Sequence, residues 1–242
     1  FKQKTAYEIM PSLVGSEMCI RDRGTLRLGG DLLLKLREAG TTLTCQLTVT
    51  GLAGTRFEPL VPPNAFDCTP KLIELLGGPD HIKWRFDPIV PGLDNIERFR
   101  TLAPTASSLG IKTVVINFVC EPGKYARADK RLSEILSYWK EGLPGIPPNW
   151  QQETAKQIVE EANKFDLAVS VCAESSHLSS VVPGLGPACC GDFLWFCKLS
   201  GKKPKPAPSK GSRPGCGCAC YFDVGSYGFW QSCHRCAYCY AG

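Results

Sequence analysis

The sequence predicts an α/β protein, an open or closed β/α barrel of parallel strands, and three observations carry the prediction. First, β-branched and apolar stretches alternate at least four times with amphipathic helical ones. That rhythm calls for parallel strands joined by helical crossovers rather than for a sandwich. Second, Ile111 to Cys120 (IKTVVINFVC) is apolar almost throughout, as a strand buried on both faces must be. Third, the chain has 242 residues, 43% of them hydrophobic and 21% charged, which is the composition of a globular protein long enough to bury a core without covalent help.

Taken in order, Thr5 to Arg23 (TAYEIMPSLVGSEMCIRDR) has neither helical nor strand period and resembles the conceptual translation of a sequencing adapter. Residues 1–23 are therefore read as non-native, and Cys19 carries no meaning. Asp31 to Ala39 reads as a short helix closed by Gly40, and Thr41 to Thr50 (TTLTCQLTVT) as an alternating, β-branched strand ending at Gly51. Pro59 to Pro70 is loop, Pro70 to Leu76 a helix stopped by Gly77 and Gly78, and His81 to Val90 the next strand. Leu93 to Leu109 has helical period behind an Asp94 cap, with a break expected at Pro104. Beyond the strand at Ile111 to Cys120 come a helix over Ala128 to Glu141, a Pro-rich connector (LPGIPPN) and an amphipathic helix over Trp150 to Phe165. A strand at Leu167 to Ala173 and a short helix over Gly191 to Leu199 complete a β/α unit spanning residues 24–200. Residues 201–212 form a Lys/Pro linker, and 213–242 a cysteine-rich segment.

The net charge is only +5, and its one concentration is Lys202, Lys203, Lys205, Lys210 and Arg213. A nucleic-acid footprint needs a longer basic stripe with aromatics between the charges, so this run reads as solvated linker. The longest apolar runs are too short to span a bilayer, and no basic-apolar-small leader opens the chain. A reducing, cytoplasmic setting is expected, because fourteen cysteines at such spacings are hard to keep reduced elsewhere.

Six of those fourteen cysteines fall between Arg213 and Cys239 (RPGCGCACYFDVGSYGFWQSCHRCAYC): Cys216, Cys218, Cys220, Cys233, Cys236 and Cys239. Disulfides, zinc and an iron–sulfur cluster would each explain that density. Disulfides rank last, since a chain of this length does not need them to fold. The overlapping C-x2-C-x2-C of Cys233, Cys236 and Cys239 turns thiolates inward from one tight loop, the arrangement that metals and clusters use. Three thiolates on a cubane leave one iron open to a substrate or cofactor, and a fourth, from Cys216, Cys218 or Cys220, closes it. His234 is read as a spectator within this loop, while Cys45, Cys68 and Cys197 are read as small packing residues.

In β/α folds chemistry collects where strands end. Arg85 and Asp87 end one strand, Asn117, Cys120 and Glu121 another, and Cys172 and Glu174 a third, so these polar residues would face a common pocket. Arg85, Asp87 and Glu174 are its candidate catalytic residues. His81 and His177 have no partners at metal spacing and read as ordinary strand-edge or loop histidines.

Several stretches together resemble the domain-of-unknown-function family 1848: Gln46 to Gly51 (QLTVTG), Trp84 to Ile89 (WRFDPI), Cys172-Ala-Glu174, the Ala188-Cys189 pair, Arg213 to Cys218 (RPGCGC) and Cys236 to Ala241 (CAYCYA). The cysteine cluster of that family is similar to that of radical S-adenosylmethionine enzymes. The resemblance implies an incomplete TIM-like (β/α) barrel, since the Ser-Arg-Arg-Thr-Asp type strand and Trp-Thr-Lys-Asn-Pro type segment that open the family are missing here. It further implies that Cys233, Cys236 and Cys239 hold a [4Fe-4S] cluster whose open iron chelates S-adenosylmethionine. The cluster draws on an electron donor, and the barrel shields the resulting radical from water. Tyr238 and Tyr240 would pack on cluster or adenine, or fill core. Two departures stand out: Cys233 and Cys236 have two residues between them where the family usually has three, and no Gly-Gly-Glu type strand is visible. Two alternatives stay open. One is a zinc knuckle made by Cys216, Cys218, Cys233 and either Cys236 or Cys239; the other is a fully ligated iron–sulfur module for electron transfer.

Overall fold

The computed structural model describes residues 31, 33–64, 66–189, 192–201 and 235–239. The segment read as non-native, residues 202–212 of the linker, and Cys216, Cys218, Cys220, Cys233, His234 and Tyr240 all lie outside the described residues. A helical stretch over 33–38 precedes β1 (Cys45–Thr48). There follow α1 (Thr69–Leu76), β2 (Ile82–Ile89), α2 (Asn95–Ser108), β3 (Thr113–Phe118), α3 (Ala126–Ile135), α4 (Trp150–Asn163), β4 (Ala168–Val171), a 3-10 segment (Ala173–Ser180), β5 (Leu185–Pro187) and α5 (Phe193–Ser200).

The five strands form one sheet in chain order, and every pairing is parallel. This is the α/β architecture with helical crossovers that the alternation of elements calls for. The sheet is open, with β1 and β5 at its edges among the described residues.

Alternation along the strands separates the two faces. Leu47, Trp84, Phe86, Val114, Ile116, Val169, Val171 and Leu185 share one face by register and are buried in a single core. Onto it pack Leu72 and Leu76 of α1, Phe99, Ala103 and Ala106 of α2, and Ala155, Ile158 and Ala162 of α4. That α1, α2 and α4 lie on one face follows from strands taken in order, because a right-handed crossover repeated in one direction returns each of these helices to the same side. The opposite face carries Gln46, Thr48, Lys83, Arg85, Asp87, Asn117 and Ser170. The same face also carries buried Val115, and at Lys83 it meets Asp192 and the Trp195 ring at the start of α5.

Local signals account for some of the boundaries. Gly77 stops α1 in the left-handed conformation (φ 105°), its N–H donating to the Ile73 carbonyl at 3.0 Å. Asp192 caps α5 by accepting from the Trp195 N–H at 2.9 Å. Asp94 does stand at the N-cap of α2, but its side chain makes no capping bond.

Other expectations fail for physical reasons. Pro104 does not break α2, which runs through it to Ser108. Its ring lies on the exposed side, where water can satisfy the carbonyl that loses its donor, while Phe99, Ala103 and Ala106 hold the other side to the sheet. The helix expected over Ala128 to Glu141 begins two residues earlier and ends at Ile135. Leu136 is extended (φ −112°, ψ 104°), and a short 3-10 turn over Ser137–Trp139 buries Trp139.

Helices α2 and α4 are tied by Glu161, whose Oε1 accepts from Arg100 Nη2 at 2.9 Å and from Lys164 Nζ at 2.9 Å. The bonds from Arg100 and then Lys164 hold the Glu161 carboxyl down at about 2. Since the unfolded carboxyl titrates near about 4.3, Glu161 stabilises the fold fully above that value, and its contribution fades as pH falls toward 2. The stability difference between wild type and Glu161→Gln is therefore expected to stay constant above about pH 5 and to shrink between about pH 4.5 and 2. Urea denaturation at a series of pH values measures it, and a difference that grows on acidification contradicts the assignment.

Candidate functional site

Parallel strands all end at the same edge of the sheet, so the loops after β1, β2 and β3 converge there. A second apolar cluster forms at that edge. Leu52 and Phe57 reach it from the loop after β1, Val90 from the end of β2, Leu132 from α3, Trp139 from the turn beyond, and Ala237 from the C-terminal segment.

The described part of the cysteine segment is docked on this cluster by its backbone. The Ala237 N–H donates to the Phe57 carbonyl at 2.8 Å, and the Cys239 N–H donates to the Cys236 carbonyl at 3.1 Å. The second bond closes a turn, so the C-x2-C spacing folds here as the tight loop it implies. Arg131 of α3 donates through Nη1 to the Cys236 carbonyl (3.2 Å) and through Nη2 to the Cys239 carbonyl (2.7 Å). Cys239 is buried and Cys236 half-buried.

Tyr238, between the two cysteines, donates its hydroxyl to Glu58 Oε1 and rests its ring on the second cluster. Glu58 is fully buried, and the Thr50 hydroxyl also donates to it, at 2.6 Å. A carboxylate taken out of water requires such donors. Arg98 lies next to this layer and donates to the Thr50 carbonyl (2.7 Å) and to Asn95 Oδ1. Burial lowers the Arg98 guanidinium from its ordinary range, with Glu58 and Asp94 opposing the shift. Asn95 in turn grips the loop after β2, donating to the carbonyls of Val90 (2.8 Å) and Leu93 (2.9 Å). Glu58, Arg98 and Arg131 were not legible as site residues in the sequence: each is one charged residue of a loop or helix with no motif around it, and only the fold brings it to the cysteine turn or the layer beneath it.

On the polar face, Arg85 donates to Asp87 Oδ2 and, at 3.4 Å, to Gln46 Oε1. The two expected strand-end residues are thus brought together, because positions two apart on a strand project to the same side. Asn117 at the end of β3 meets the Ser175 hydroxyl at 3.5 Å. Cys172 is buried at the end of β4, Cys120 is half-buried, and Glu121 is exposed on the rim. Glu174 follows β4 in the 3-10 segment, placed there by its backbone.

The bystander cysteines behave as packing residues: Cys45 and Cys197 are buried, and Cys68 rests on the main core. His81 bonds the Leu43 carbonyl through Nδ1 at 2.6 Å, as a strand-edge histidine does. Among the described residues no three His, Cys, Asp or Glu side chains converge as a metal site. A hollow of ≈ 450 Å³ beside β5, lined by residues 179–186, contains no titratable side chain and is not the site.

These features define a class: an α/β protein whose parallel strands end beneath a clamped cysteine turn. The chain belongs to the family described as Domain of unknown function (DUF1848), whose model matches residues 29–241. No curated protein matches it. Among the described residues no helix is long and apolar enough to cross a membrane.

Proposed function

We propose that this chain is an iron–sulfur protein, a radical S-adenosylmethionine-like enzyme whose [4Fe-4S] cluster is held by Cys233, Cys236 and Cys239. The observation that carries the reading is the Cys236–Cys239 turn, fixed by Phe57 and Arg131 at the edge where the parallel strands end. The donor set fits such a group. Thiolates are the ligands of iron–sulfur clusters, Cys239 lies out of solvent, and the Arg131 cation beside both cysteine carbonyls offsets the negative charge that thiolates bring.

A bound cluster would supply the electron that cleaves a bound sulfonium, drawn from a separate electron donor. The chain's own residues bind and position. Arg85 and Asp87, paired on the polar face of β2, and Glu174, in the 3-10 segment that follows β4 two strands away, hold the substrate. Tyr238, tied to Glu58, keeps the cysteine turn against the sheet. Strands in chain order, with α1, α2 and α4 on one face, support reading the open sheet as an arc of an incomplete TIM-like barrel whose polar side is the interior. Cysteines of this density and spacing suit a reducing, cytoplasmic setting.

The same C-x2-C turn also serves as half of a zinc knuckle, and this is the second reading. Anaerobic purification decides between them. A brown protein containing iron and acid-labile sulfide is expected, and 5′-deoxyadenosine should form when dithionite and S-adenosylmethionine are added. A colourless protein with stoichiometric zinc overturns the iron–sulfur reading. A brown protein that yields no 5′-deoxyadenosine leaves a fully ligated electron-transfer module.

A further inference from the structure

We infer that Arg131 is the positioning residue of the cysteine turn, setting the separation of the Cys236 and Cys239 sulfurs and biasing the charge of whatever metal group they hold. The inference rests on the proposal that these cysteines bind a metal.

Arg131 projects from a helix fixed on two sides. Leu132 is buried in the second cluster, and Asp129 accepts from the Gly123 N–H (2.9 Å) and from Trp139 Nε1 (2.9 Å). The side chain is itself steadied by a bond from Nε to the Arg127 carbonyl at 3.2 Å. Its two Nη groups then take one carbonyl each, from the first and last residues of the turn. The guanidinium is a rigid planar fork, so gripping both carbonyls at once fixes the distance between the two cysteine backbones. Ligand sulfurs one side chain away inherit that distance, and a preset site loses less entropy on binding metal. A turn that needed only to stay folded already has the Cys239–Cys236 and Ala237–Phe57 backbone bonds. The added cation stands at the backbone of the two residues whose thiolates would carry negative charge, and a positive charge so near favours the more reduced, more negative state of a redox group.

The experiment compares Arg131→Met, Arg131→Lys and, as a control on the exposed side of the same helix, Arg127→Met. Each full-length protein is titrated with Zn²⁺ and, separately, reconstituted with ferrous iron and sulfide. Arg131→Met should keep the wild-type circular dichroism but bind Zn²⁺ about 10-fold or more weakly, the usual cost of losing an outer partner of a metal site. Its cluster potential should move to more negative values. Arg131→Lys keeps the charge without the fork, so its potential should stay near wild type while its loading falls. Arg127→Met should match wild type in both.

Wild-type loading and potential in folded Arg131→Met overturn the inference. If Arg131→Met does not fold, Arg131→Lys decides, and full loading there overturns the claim for the fork. Wild-type protein that takes up neither zinc nor iron sinks the metal reading itself, and the inference with it. A loaded wild type with an indifferent Arg131→Met removes only the inference.

Discussion

Replacing Cys239 with alanine should abolish metal loading, while Cys45→Ala should leave it intact. Both side chains are buried, at 6% and 2% exposure, so general burial does not separate them. Their surroundings do. Cys45 sits on the apolar face of β1, level with Ile82 of β2, inside the main core. Cys239 ends the turn whose carbonyls Arg131 holds. Arg131 holds the turn by its backbone carbonyls, so the turn should keep its shape when the sulfur is removed, and the loss should fall on metal content. Iron, sulfide and zinc per chain after reconstitution measure it, with circular dichroism as the check on folding. Equal loading of the two variants would mean that the ligands are wrongly assigned.

Trp84→Ala should cost about 3–5 kcal/mol of stability, the range for truncating a large aromatic in a close-packed core. That is a large part of the roughly 5–15 kcal/mol that holds a domain together. Trp84 is 0% exposed on the central part of β2. It stacks on Phe99 of α2 at 5.0 Å between ring centroids and meets Phe66 and Phe86 edge-on at 5.9 and 5.7 Å. Its indole N–H also donates to the Val49 carbonyl at 2.8 Å. Trp84→Phe keeps much of the ring contact but orphans that carbonyl, for a smaller loss of about 1–3 kcal/mol. Urea unfolding of the three proteins gives the comparison. A loss below about 1 kcal/mol for Trp84→Ala would mean that the aromatic layer does not hold α2 to the sheet.

Where the sequence reading held, the signal was local. The continuous apolar run at Ile111 to Cys120 contains β3, the run at His81 to Val90 contains β2, and Gly40 and Gly77 follow their helices in the left-handed conformation that glycine adopts without strain. Strand β5 had no such signal. Leu185–Pro187 is three residues long with a glycine and a proline, and it becomes a strand only because Val169, Ser170 and Val171 offer it an edge. Pro104 misled for the opposite reason: a local rule predicted a break that packing on the far side of the helix overrides. Of the candidate site, the shared side of Arg85 and Asp87 follows from strand period, but that they bond to one another was not read from the sequence.

By itself, the order of residues determined an α/β protein of parallel strands, a cysteine turn near its carboxyl end and polar residues where the strands stop. Only the tertiary structure decided that the turn lies on the β1 loop and α3, that Tyr238 reaches a buried Glu58 180 positions away, and that Arg131 grips cysteine carbonyls 105 and 108 positions away. Periodicity, caps and short spacings are properties of neighbouring residues, so they can be read along the chain. Partners so distant in sequence meet only because the hydrophobic burial of two apolar clusters folds the chain back on itself, and nothing local to either partner encodes the other.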